Sequence, residues 1–308
     1  MRPLSNETWA RSYRYVRIAM VALLVGLGVS VIYQTGEQGW HLLSSVSAYY
    51  YTPAQSLFVG SLIGLGAFMI ALRGTTDPED VLLNLGGMFA AVVAIVPTAR
   101  DKDFRTAVRL CDVATDKLPD GVDCLSVRSL EAAARANVEN NMFALLVLGG
   151  LGILATLAIV VKEGRHGRST WLGMLVALLV YGSALGSFVA AEDRFIDYAH
   201  YVAALGLFAC ILAVVVINAR RHQRERAPAG EQSTAALPRN RYSIIALVLI
   251  GATAVLLVLW LTGVVTLFWL EIIVAGLFAV FWTVQTFEQT PAETRPVTAP
   301  GDGQRAPA

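Results

Sequence analysis

The sequence predicts an all-α fold: a polytopic transmembrane helical bundle of about eight membrane-spanning helices, with both termini on the cytoplasmic side. Three observations predict it. Hydrophobic residues make up 56% of the 308 residues and charged residues only 15%, against about 25% charged in a typical soluble domain. Mean hydropathy is +0.57. Eight apolar stretches reach the length of about 17–25 residues that a helix needs to cross a hydrocarbon core. This composition excludes an ordinary soluble enzyme, a disordered chain and a nucleic-acid binder with a basic field. The net charge of +1 implies no global electrostatic partner.

The spans fall at Val16–Tyr33, Pro53–Leu72, Pro78–Val96, Asn141–Val161, Trp171–Ala190, Tyr198–Ile217, Ser243–Leu261 and Val264–Val284. The first has the basic flank of a signal peptide. No small-x-small cleavage site follows Tyr33 and seven more spans come after it, so a retained helix is expected. Thr52-Pro53-Ala54-Gln55 predicts an N-cap at Thr52 with proline at N1, and Asp77-Pro78-Glu79-Asp80 repeats the pattern with Asp77 as cap. Proline at N1 has no amide hydrogen to leave unpaired, and the cap oxygen accepts from a later amide. Pro97 ends the third helix.

Orientation follows from Lys and Arg. With the N-terminus inside, the inner segments hold 16 of the 24 basic residues, and seven of the other eight lie in the long 98–140 loop. The positive-inside rule then puts both termini in the cytoplasm. Residues 1–15 form a cytoplasmic N-terminus and 16–217 a six-helix membrane core. Residues 218–242 form a basic cytoplasmic linker, 243–284 a C-terminal transmembrane hairpin and 285–308 a cytoplasmic tail. Pro291, Pro296, Pro300 and Pro307 predict disorder in that tail. The six-plus-two division reads as a core with an appended hairpin. The linker either touches anionic headgroups or serves as a topogenic charge cluster.

The outer loop 98–140 contains Cys111 and Cys124. A disulfide between them is expected in an oxidising compartment, worth about 3 kcal/mol in the chain-entropy model. The alternative, two free thiols in a cytoplasmic loop, conflicts with the charge count. Leu125–Asn140 is Ala-rich with a helical pattern and extends the fourth helix above the membrane. Cys210, mid-helix, reads as a small core residue.

Glu271 is the clearest chemical anomaly. It lies seven residues into the last span, roughly 10 Å below its outer end. An ionisable group at such depth is costly unless paired or neutralised. It either serves a ligand or bonds a neighbouring helix as a structural carboxyl. Asp197, His200 and Tyr201 stand at i, i+3 and i+4 at the start of the sixth span, with Glu192 and Asp193 just before them. A carboxylate beside an imidazole is a usable acid/base or cation-binding pair; the plainer role is a cap at Asp197 and a packed His200. Residues 40–51 carry His41, Ser45, Tyr49 and Tyr50 and no Lys or Arg, as a polar pocket or an aromatic belt would. Glu139, Asn140 and Asn141 are further vestibule candidates. Glu271, Asp197, His200, Tyr49, Tyr50, Ser45, His41 and Glu192 all gather on the outer side, which is the case for a ligand site there.

Catalytic signatures are missing: no phosphate-binding glycine loop, no HExxH and no GxSxG. The sequence implies no cofactor, and the spacing of the four histidines supports no metal site. Gly60/Gly64 and Gly182/Gly186 predict close helix packing, and Asn84 an interhelical hydrogen bond.

The run Ser45-Val-Ser-Ala-Tyr-Tyr-Tyr-Thr-Pro-Ala-Gln-Ser-Leu-Phe-Val-Gly60 resembles a segment of a family of uncharacterised bacterial multi-pass membrane proteins. So does Glu79-Asp-Val-Leu-Leu-Asn84-Leu-Gly-Gly, running on to Pro97. Phe268-Trp-Leu-Glu271 and Phe281-Trp-Thr-Val-Gln-Thr-Phe-Glu288 resemble its actinobacterial members. The resemblance covers the first three spans and the last, and implies a bacterial cytoplasmic-membrane protein with no assigned activity. That pattern has a histidine after the two tyrosines where this chain has Tyr51, which weakens a metal or acid/base role for the segment.

Three functions follow as expectations. The first is binding or transport of a small solute or lipid through an outward-facing polar cavity, with membrane lipids around it and no nucleic acid. The second is a non-catalytic envelope accessory protein that meets a partner protein through 98–140. The third is an intramembrane hydrolase using His41, His200 and acids, which resembles ceramidase-like logic without that family's full histidine set.

Overall fold

A computed structural model describes residues 6–98, 102–113, 124–162, 164, 167–226 and 241–288. The chain is an all-α polytopic bundle. Among the described residues there are nine α-helices, one 3-10 turn and no strand: α1 (Asn6–Glu37), the 3-10 turn Ser47–Tyr51, α2 (Gln55–Ala71), α3 (Asp77–Ile95), α4 (Lys102–Val113), α5 (Cys124–Lys162), α6 (Arg168–Ala190), α7 (Glu192–Arg226), α8 (Arg241–Leu261) and α9 (Leu267–Glu288). Seven helices are long and apolar enough to cross a membrane. The eighth expected span, α2, has 17 helical residues, at the lower limit for crossing. It starts later than expected because Thr52-Pro53-Ala54 form a turn that continues the 3-10 turn. In that turn the Gln55 amide donates to Thr52 O at 3.0 Å and the Ala54 amide to Thr52 Oγ1 at 3.2 Å.

The α3 start also differs by one residue. Thr76, not Asp77, is the N-cap: its backbone is extended and its hydroxyl accepts from the Glu79 amide at 3.4 Å. Asp77 and Pro78 then fill the first turn. At the far end of α1, Gly39 (φ 70°) and Trp40 (φ 64°) turn the chain back, and the Trp40 amide donates to Thr35 O at 2.8 Å. Trp40 is the one described non-glycine residue in the left-handed region, a conformation that costs a bulky side chain energy.

Helices α1, α2, α3, α7, α8 and α9 share one core, which includes Met20, Phe58, Leu83, Leu207, Leu249, Phe278 and Trp282. The final hairpin is therefore not an appendage in space; α9 packs on α1 and fills the core with Val274, Phe278, Phe281 and Trp282. The peripheral pair is α5 and α6. Most of their apolar surface is uncovered by other helices, whereas more than half of α3 is buried; α8 is as exposed as α5 but contributes Ala246 and Leu249 to the core.

Close helix contact occurs elsewhere than the GxxxG pattern indicates. A Cβ on Gly182, Gly186 or Gly60 would meet nothing within 4 Å. Gly66 and Gly87 instead face each other across α2 and α3, backbone to backbone, and a Cβ on Gly87 would lie 2.5 Å from Gly66 O. Gly64 is close to Leu23 alone, at 2.8 Å.

Helix α5 has 39 residues, about 58 Å of helix against a hydrocarbon core of about 30 Å. Its first part, Cys124 to Asn140, is continuous with the apolar part, and within 98–140 the described residues 102–113 and 124–140 are helical. Cys111 on α4 and Cys124 on α5 are disulfide-bonded, with Cα atoms 5.5 Å apart. Arg128 also donates to Cys111 O. Replacing Cys111 by Ser is expected to release α4 at a local cost of about 3 kcal/mol. Limited proteolysis should then cut between 102 and 124 faster, while the thermal midpoint of the bundle stays the same. Cys210 is a free, buried thiol.

The middle of the outer loop (114–123, with Pro119 and Gly121), His166, 227–240 and the tail from 289 onward lie outside the described residues. The linker begins later than expected, because α7 continues to Arg226.

Candidate functional site

The outer site, on the side assigned by the Lys and Arg count, is built where four elements meet: the segment 44–47, the end of α3, α7 and the first two turns of α9. α9 begins at Leu267 rather than Val264. Val264 and Val265 are apolar, but they belong to the hairpin turn opened by Gly263 (φ 76°). Glu271 is consequently only about 6 Å from the helix start, shallower than the sequence indicates.

Two reciprocal hydrogen bonds fix α9 to the outer segment. The Phe268 amide, unpaired within its own helix, donates to Ser44 O at 3.0 Å. The Val46 amide donates to Glu271 Oε2 at 2.6 Å, and the Ser47 amide bonds the same carboxylate. His200 lies on α7 with 1% of its surface exposed. Its Nδ1 contacts Val96 O at 2.6 Å, at the frayed end of α3. A carbonyl only accepts, so Nδ1 carries the hydrogen. Nε2 of the neutral ring is then an acceptor, and it finds no hydrogen-bond partner among the described residues. Facing it at 4.0 Å is Glu271 Oε1. Nε2 is thus a buried acceptor that needs a donor, and a hydrogen held on Glu271 or a donor-bearing guest would supply it.

Beside this pair, Ser45, Ser47 and Thr98 form a triangle of hydroxyls. Thr98 Oγ1 is 2.7 Å from Ser45 Oγ and 2.5 Å from Ser47 Oγ, and the two serines are 3.2 Å apart. All three are buried. Thr98 lies two residues beyond the carbonyl that holds His200, so one chain terminus of α3 orients both groups.

Several expected site residues serve other roles. Tyr49 is not at a mouth: it is fully buried, its hydroxyl 2.5 Å from Thr35 Oγ1 and its ring 6.2 Å from Phe268. Thr35 gives its own hydrogen to Val31 O, so Tyr49 is the donor, and it pins the 3-10 turn to α1. Tyr50 is also buried, bonded to Gln55 and Asn137. Burial pushes the Tyr50 and Tyr51 phenols up from their ordinary value, so both stay neutral donors at any physiological pH. Asp197 and His41 are exposed, and Glu192 is half-buried on the surface of α7. Asp197 does not pair with His200, because the imidazole turns inward to Val96. Glu139 pairs with Arg135 at 3.0 Å, and Arg135 reaches Asp193 at 2.6 Å. Both pairs are exposed and contribute little energy; the second ties α5 to α7.

The site therefore contains Glu271, His200 and Ser45 from the sequence-derived set. It adds Ser47, Thr98 and the Val96 carbonyl. The alternation Ser45-x-Ser47 and a threonine just after Pro97 were the available signals. Among the described residues no three His, Cys, Asp or Glu side chains gather as metal ligands. The chain matches no protein-family model, no curated protein and no solved structure.

Proposed function

We propose that this membrane-embedded protein binds, and carries, a small solute or a lipid headgroup bearing hydrogen-bond donors at the outer end of its bundle. One observation carries the reading: the buried Nε2 of His200 opposes Glu271 Oε1 at 4.0 Å, and among the described residues it has no hydrogen-bond partner. An ammonium group, with more than one hydrogen to give, satisfies both acceptors at once, and the Ser45, Ser47 and Thr98 hydroxyls offer adaptable further contacts. The charge distribution supports a plasma-membrane location with both termini inside, and the resemblance to actinobacterial multi-pass proteins agrees with a bacterial cytoplasmic membrane. The hydrolase reading lacks support from His41, which is exposed and joins no ligand group.

Native mass spectrometry of gently solubilised protein tests the reading. Wild type is expected to retain a bound lipid or solute. Glu271→Gln is expected to lose it, because the new amide nitrogen donates to His200 Nε2 after a small rotation and fills the gap itself. The same variant keeps an oxygen for the Val46 amide, so its thermal midpoint should equal or exceed that of wild type. Bare protein in both samples would turn attention to the accessory reading. That reading is favoured by the disulfide-fastened α4 standing on the protruding part of α5, and crosslinking to a protein partner through 102–140 would test it.

A further inference from the structure

A second group of buried polar side chains lies at the opposite, inner end of the same bundle. Glu79, in the first turn of α3, is 2% exposed. Its Oε2 accepts from the Thr75 amide at 3.0 Å and from the Thr75 hydroxyl. Its Oε1 accepts from Asn218 Nδ2 on α7 at 2.8 Å. Asn218 also donates to Val214 O at 3.0 Å, and its Oδ1 accepts from Gln285 Nε2 on α9 at 2.9 Å. Gln285 is 1% exposed, and its Oε1 has no hydrogen-bond partner among the described residues.

The direction of this chain is fixed by chemistry. An ionised Glu79 and the Val214 carbonyl can only accept, so Asn218 must present its nitrogen to both and its oxygen to Gln285. Gln285 must then turn its nitrogen to Asn218, and its oxygen is left over. No described Lys, Arg or His lies within salt-bridge distance of Glu79. Arg17, the buried cation of α1, is engaged with the Tyr13 and Trp282 rings, 4.4 and 5.1 Å from their centroids. Among the described residues, a buried carboxylate met by hydrogen-bond donors but no salt-bridge partner and a buried amide oxygen with no donor thus lie on either side of one asparagine. Buried charges of this kind are paired or coordinate a cation.

We propose that Glu79, Asn218 and Gln285 form a binding site for a monovalent alkali cation, reached from the inner side past the exposed Thr75. The donors are hard oxygens with no Cys or His among them, the set that suits alkali and alkaline-earth ions. One carboxylate balances one positive charge, whereas a calcium site draws on several carboxylates. Loading breaks the Asn218–Glu79 and Gln285–Asn218 hydrogen bonds, and both amides turn to present Asn218 Oδ1 and Gln285 Oε1 to the ion beside Glu79. The site is separate from the outer one. Asn218 follows His200 by eighteen residues of α7, about 27 Å of helix, nearly the full thickness of the hydrocarbon core. It uses none of the outer residues, so either proposal can fail without the other.

The test is thermal unfolding of the full-length protein in nanodiscs, titrated with NaCl or KCl against choline chloride at constant ionic strength. Wild type and Glu271→Gln should gain stability with alkali-ion concentration, as a ligand of the folded state requires. Glu79→Gln and Gln285→Leu should show no gain. Equilibrium binding of labelled rubidium to wild type and Gln285→Leu gives a second readout if Glu79→Gln does not fold. Loss of one charge–oxygen contact should weaken it at least about tenfold. Choline acting as well as the alkali ions, an undiminished response in both variants, or stability that follows pH but no metal ion would overturn the assignment.

Discussion

Replacing Glu271 by Ala is expected to lower the thermal midpoint and loosen the outer segment 44–50. The substitution removes the acceptor of the Val46 amide, held at 2.6 Å, in a place where water cannot substitute freely. An unpaired buried amide costs about 1–3 kcal/mol. The Phe268 amide still bonds Ser44 O, so the segment stays attached by one contact and does not detach from α9. Hydrogen exchange should therefore quicken at 46–50 and stay slow in the middle of α3 and α7. The contrast with Glu271→Gln separates two roles of one carboxyl group, since Gln keeps the anchor and loses the guest. Equal exchange at 46–50 in wild type and Glu271→Ala would mean that the carboxylate does not anchor the segment.

The second large effect belongs to Gly87. A methyl group there would lie 2.5 Å from Gly66 O and 2.6 Å from Ile70 Cγ1. The first of these is backbone and cannot rotate away, so α2 and α3 must separate. Overpacking of this kind costs about 1–3 kcal/mol, while alanine in place of glycine returns about 1 kcal/mol of helix propensity. Gly87→Ala should unfold at lower temperature than wild type. Gly182→Ala, where nothing lies within 4 Å, should match or exceed wild type. Substituting Gly66 and Gly87 together should cost less than the two single effects combined, because both report one contact. Equal midpoints for Gly87→Ala and Gly182→Ala would show that the crossing yields without cost.

Both cases show what the sequence could convey. Span positions are local properties of hydropathy, so the eight apolar stretches correspond to the helices. Boundaries shifted where local chemistry competed. Thr76 caps α3 because its extended backbone lets the hydroxyl reach the Glu79 amide, and a threonine ahead of Asp-Pro looks like loop in the sequence. The α9 start was hidden by Val264 and Val265, apolar residues that serve a turn. Glu271 was legible because an ionisable group in an apolar run is conspicuous. Its partners were not, since Val46 is 225 positions away and offers only a backbone amide. Asp197 and His200 do lie near one another on α7, yet the imidazole points to a carbonyl freed at the end of α3 and the carboxylate to solvent. Helix–helix adjacency decides between such neighbours, and spacing along one helix does not carry it. The same limit hid Gly66 and Gly87, which belong to no GxxxG pair, and Asn218, one residue past the expected end of its span.

The pairing of α1 with α9 has a consequence for how the chain is made. Of the described helices, α9 leaves the ribosome last, and its seat is formed by the first. Until it arrives, the Val46 amide lacks the Glu271 carboxylate, His200 has no glutamate before it, and Arg17 lacks the Trp282 ring. A nascent chain that lacks only α9 is therefore an unfinished assembly whose polar groups at both ends of the bundle await their partners. Insertion machinery or a membrane protease could distinguish it from the completed protein by those groups, and the outer site comes into being only when translation has passed residue 271.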